Sequence, residues 1–121
     1  MADGVSVFAS GTQTCVINTE HILIDSTSPG IFKVDIDLAA MTATTPDVMQ
    51  IRYYANVDGT NKRQCFFVSY TGVQDSSTDA LSAIKDLGGR PLGGINGFKI
   101  TIKQTAGTGR AIPWIVTQVS P

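Results

Sequence analysis

Two carboxylates, Asp35 and Asp37, stand two residues apart in the run Ile31-Phe32-Lys33-Val34-Asp35-Ile36-Asp37-Leu38. On an extended chain they point the same way, roughly 6 to 7 Å apart, which is near the separation of the carboxylate pairs that hydrolyse glycosides. The run also has a plainer explanation. Phe32, Val34, Ile36 and Leu38 alternate with Lys33, Asp35 and Asp37, the period-2 pattern of a strand with one dry and one wet face. On that reading the carboxylates are the wetted face and nothing more, and no catalytic role is assigned to them.

The other reactive residue types are sparse. His21 is the sole histidine, within a strand-like Glu20-His21-Ile22-Leu23-Ile24-Asp25 that places Ile22 and Ile24 on one face and Leu23 on the other. No serine motif accompanies it, so a Ser-His-Asp constellation is not indicated. One His and two distant cysteines do not make a four-ligand zinc site. Cys15 and Cys65 both lie among strand-like residues, and the expectation is two free, buried thiols in a reducing compartment. Gly88 and Gly93, or Gly89 and Gly94, have the outer spacing of a phosphate loop, but Gly94 and Ile95 stand where the lysine belongs. The Gly107-Thr108-Gly109 run lacks the third glycine of a dinucleotide fingerprint. No catalytic, cofactor-binding or metal-ligating residue emerges, and no cofactor is implied.

The elements that would position these residues are all short strands. Residues 4–9 predict a strand or an ordered arm, with Gly11 and Thr12 turning the chain and residues 14–17 free to pair. Glu20 to Asp25 is a strand closed by the turn formers of residues 26–30. The central run at 32–38 follows, and Pro46, which has no N–H to give a ladder, should interrupt pairing before a strand at 47–54. Asp58-Gly59 between two apolar runs signals a hairpin to a strand at 64–70. Residues 79–88 can be written as a short helix, with Asp79 as N-cap and Gly88 as its terminating glycine, or as part of a long glycine-rich connection. Residues 98–104 alternate again, residues 106–109 turn, and residues 110–119 form a last strand around Trp114. Seven or eight such strands predict an all-β antiparallel sandwich of jelly-roll type.

A chain of 121 residues with 42% hydrophobic and 16% charged residues holds one domain with one core, against roughly 25% charged in a typical globular domain. A formal net charge of -1 gives no global field for phosphate backbones, so direct nucleic-acid binding is not expected. No long apolar run or basic leader appears, so neither a membrane span nor a signal peptide is expected. Association with another protein is what remains. Adjacent aromatics in a strand face opposite ways, so one each of Tyr53/Tyr54 and Phe66/Phe67 should be outward. The N-terminal stretch, residues 1–10, is either an inter-subunit arm or the first strand. Candidate interface residues are therefore Val5, Val7 and Phe8, with Tyr54 and Trp114 as outward aromatics that could also serve as a sugar platform.

Asp-Leu-Ala-Ala-Met from Asp37, Asp-Val-Met-Gln-Ile-Arg from Asp47, and Lys-Gln-Thr-Ala-Gly-Thr-Gly-Arg from Lys103, followed by Pro113 and Trp114, resemble small virion structural proteins of tailed bacteriophages. The resemblance runs from Phe32 onward and leaves residues 75–97 unmatched. It implies a non-enzymatic cement or decoration protein, a β-sandwich that assembles in the host bacterial cytoplasm and sits on the capsid surface. It further implies a homo-oligomer, dimer or trimer, that clamps the major capsid protein. A tail, neck or fibre component is the alternative within that group, and a carbohydrate-binding module is the alternative outside it.

Overall fold

The computed structural model describes residues 5–41, 47–74, 83–89 and 91–119. Among these described residues nine strands follow in order: β1 (Val5–Thr14), β2 (Glu20–Ser26), β3 (Gly30–Asp37), β4 (Val48–Asn56), β5 (Lys62–Thr71), β6 (Ile84–Lys85), β7 (Leu92–Gly94), β8 (Phe98–Ala106) and β9 (Ala111–Val119), with one 3-10 turn at Leu87–Gly89. They form two antiparallel sheets. Sheet A has the order β1-β9-β3-β6, with β7 also pairing β3, and sheet B the order β2-β8-β4-β5. The pairings β1 with β9, β2 with β8, β3 with β6 and β7, and β4 with β5 are nested from the chain ends inward. The chain is thus one long hairpin, wrapped so that alternate rungs fall in opposite sheets, which is the connectivity of a jelly roll.

Alternation decides which side chains meet between the sheets. Phe32, Val34 and Ile36 from β3 face Phe98, Ile100 and Ile102 from β8 and Met49 and Ile51 from β4, all at most 1% exposed. Leu38 and Val116 complete the same cluster. Fully burying such side chains contributes on the order of 1.5–3 kcal/mol each. The Phe32 ring lies 4.8 Å from that of Phe98 and 4.7 Å from that of Phe8.

Four expectations from the sequence are corrected. Gly11 and Thr12 do not turn the chain but continue β1, because Gly11 lies opposite Trp114 in the ladder; a Cβ on Gly11 would meet the indole at 3.3 Å. The chain turns instead after Cys15, where Asn18 takes a positive φ of 65°. A bulge between Ile22 and Ile24 resets β2, so that Leu23 and Ile24 are both buried while Ile22 is exposed. Cys15 is buried as expected, but Cys65 is exposed, and both are free: Cys65 falls where the β4–β5 register slips a residue, Tyr53 pairing with Phe66 and Tyr54 with Gln64. Ile84 and Lys85, the middle of the possible helix, are extended and pair with Asp37 and Ile36. The start of that helix and the interruption at Pro46 lie outside the described residues.

The hairpin signal was sound. β4 and β5 pair along their length across residues 57–61, with Gly59 at φ 83°. Asp58 Oδ1 accepts from the amides of Thr60 and Asn61, both at 2.8 Å. These two amide donors, Asn61 first, hold the Asp58 carboxyl at a pKa of about 2.

Candidate functional site

Three polar or apolar groupings stand out. The first is internal. Asp47 and Gln104, both fully buried, meet where the turn from β8 to β9 crosses the start of β4. Arg110 Nε donates to Asp47 Oδ2 at 2.9 Å, and the Thr108 amide donates to Oδ1 at 3.1 Å. Gln104 Nε2 donates to the carbonyls of Ala106 and Thr108, while its Oε1 accepts from the Arg110 amide at 3.0 Å. Gly107 makes this possible, for its φ is 89° and a Cβ there would stand 1.9 Å from Asp47 Oδ1. Buried charge is tolerable only when paired and hydrogen-bonded in this way. Held by bonds within the chain, the grouping reads as a brace.

His21 is likewise structural, since its Nε2 accepts from the Val16 amide at 3.0 Å and ties the turn ahead of β2. Burial pushes the Cys15 thiol up to about 11, which makes it a poor nucleophile. No group of three or more His, Cys, Asp or Glu side chains suited to a metal occurs among the described residues, and no helix among them is long and apolar enough to cross a membrane.

The second grouping covers the outer face of sheet B. Glu20 accepts from the Tyr54 hydroxyl at 2.6 Å and the Thr101 hydroxyl at 2.7 Å. Partial burial alone would raise the Glu20 carboxyl, but these two donors, with Arg52 and Lys99 nearby, outweigh it and leave its pKa lowered. Burial and the same bond raise the Tyr54 phenol. Arg52 bonds Gln50 at 2.9 Å and lies 4.8 Å from the Phe67 ring centroid, while Lys99 Nζ lies 4.2 Å from that of Tyr54. Apart from Arg52 Nη1, which is buried without a hydrogen-bond partner, the polar groups named on this face are paired with one another.

The third grouping is the outer face of sheet A. Val5 pairs with Val119, and Val119 with Ile31, so three exposed apolar side chains form one row across β1, β9 and β3, with Val7 one row further along. Val5 and Val7 are 59% and 63% exposed. At the other end of the face lies a hollow of about 320 Å³ whose lining includes Ser10, Asp35, Asp37, Ile84, Pro113 and Ile115.

Of the residues singled out in the sequence, Val5 and Val7 stand on this face and Tyr54 stands on the opposite one. Phe8 turns inward through a bulge between Val7 and Ala9, and Trp114, half-buried, packs against the core over Gly11 while also lining the hollow. Ile31 and Val119 were missed. Each occupies a wet position of its strand pattern, and that mismatch was the available signal.

No protein-family model, no curated protein and no solved structure matches this chain.

Proposed function

We propose that this chain is a non-enzymatic virion structural protein of a tailed bacteriophage, a cement or decoration protein that binds and stabilises the shell of major capsid protein. The observation that carries the reading is the row Val5, Val119 and Ile31 with Val7 beside it, an exposed apolar strip on a small, weakly charged sandwich. Surfaces of this kind mark association sites. β1 supports a homo-oligomer as well. It is an edge strand of ten residues that lacks charge and proline, two of the devices by which edges avoid pairing, and its bulge between Val7 and Ala9 leaves the regular run Ala9 to Thr14 beyond it. By contrast, the edge strands of sheet B carry Glu20 and Asp25 in β2 and Lys62 and Arg63 in β5. The sequence resemblance selects the phage particle among possible assemblies.

The test mixes labelled protein with purified heads and tails of the phage that encodes it, then compares a Val7→Asp variant. Retention on heads, a raised temperature of head disruption, and loss of both in a normally folded Val7→Asp protein are expected. Retention on tails alone would move the protein to the tail, and glycan binding through Tyr54 without head binding would replace the reading with a sugar-binding one.

A further inference from the structure

We infer that the hollow on the outer face of sheet A is a seat for an arginine side chain of a docking protein. Its floor and its rim differ in kind. Ile115 lies opposite both Ser10 and Asp35 in the ladders, and Asp37 lies opposite Ile84. Apolar Ile115, Pro113 and Ile84 therefore alternate with two carboxylates. Pro113 brings no N–H to a neighbouring strand, and the β3–β9 ladder ends beside it at the pair Ile36 and Trp114; the hollow lies at that end, with Trp114 also in its lining.

The charges are unevenly matched. Lys33 Nζ donates to both oxygens of Asp35 at 3.2 Å. Asp37 Oδ1 accepts from the Ala39 amide at 2.9 Å, and Asp37 has no cationic partner among the described residues. One cation against two carboxylates leaves the rim one negative charge over. An occupant with an aliphatic stem for the floor and a cationic head for the rim fits this pattern. A guanidinium suits it best, because its planar fork can engage carboxylates with two donors and is weakly hydrated. This seat does not depend on which assembly the protein joins.

The experiment titrates isotopically labelled protein with n-butylguanidinium, the isolated head and stem of arginine, and with guanidinium and n-butanol separately, following backbone amide shifts by NMR. Butylguanidinium should shift Ser10, Asp35, Asp37, Ile84 and Ile115 together, and each half alone should act only weakly. Asp37→Asn should weaken the response about threefold, and Asp35→Asn with Asp37→Asn about tenfold, in line with partly exposed charge pairs. An unchanged response in the double variant, an equal response to n-butanol, or shifts confined to other residues would overturn the proposal. Both substitutions are on an outer face, so the double variant should keep the dispersed spectrum of the folded protein, and its spectrum reports that directly.

Discussion

Two carboxylates in this molecule do similar bonding in opposite surroundings. Asp47, fully buried, accepts from Arg110, Thr108 and Gln104, whereas Glu20, on the surface of sheet B, accepts from Tyr54 and Thr101. Water can replace the partners of Glu20 but not those of Asp47. Hydrogen bonds to a carboxylate should therefore be worth several kcal/mol in one place and little in the other.

The largest expected effect is at Asp47. Asp47→Ala strands the Arg110 charge and the amides around it, and should cost about 3–5 kcal/mol; urea unfolding followed by Trp114 fluorescence measures it, and a loss under about 1 kcal/mol would show that the brace relaxes into solvent. Gly107→Ala comes next, since it forces a Cβ into Asp47 at a positive φ, with an expected cost of about 1–3 kcal/mol. Thr108→Ala, which keeps the amide that bonds Asp47, should be milder, and equal losses in the two variants would break the argument from backbone conformation.

The smallest effect belongs to Glu20. Its carboxyl titrates lower in the folded protein than in the unfolded chain. That contribution is therefore present above the unfolded pKa and is lost as pH falls through the folded one. Glu20→Gln should change stability by less than about 1 kcal/mol at pH 7 and should flatten the acid limb of a stability-against-pH curve. A limb as steep as that of the parent would remove Glu20 from the account.

This contrast also marks what could be read in the residues. β3 announced itself because Phe32, Val34 and Ile36 alternate without interruption, and the β4–β5 hairpin because Asp58-Gly59 is a local signal. Asp47 and Arg110 lie 63 positions apart, and nothing near either says that they meet. Bulges hid Cys65, Leu23 and Phe8 in the same way, since one extra residue reverses the facing of all that follow. Gly11 looked like a turn residue because the reason for its missing side chain, the indole of Trp114, belongs to the far end of the chain. The acidic pair was legible as the wet face of a strand, but the hollow beside it required β6 and β9.

The nested pairing has a kinetic consequence. Among the described strands, only the β4–β5 hairpin joins strands that are close in sequence; each further rung, β3 with β7, β2 with β8, and β1 with β9, closes a longer loop at a greater entropic cost. The expected folding order runs from the hairpin outward, so that substitutions in β4 and β5 slow folding and those in β1 and β9 chiefly speed unfolding. Equal partition of both sets between the two arms of a chevron plot would contradict it. On the ribosome, β1 is made before the eight other described strands and finds its partner β9 last. The uncharged strand Val5–Thr14 thus waits, unpaired, until Val119 has left the exit tunnel.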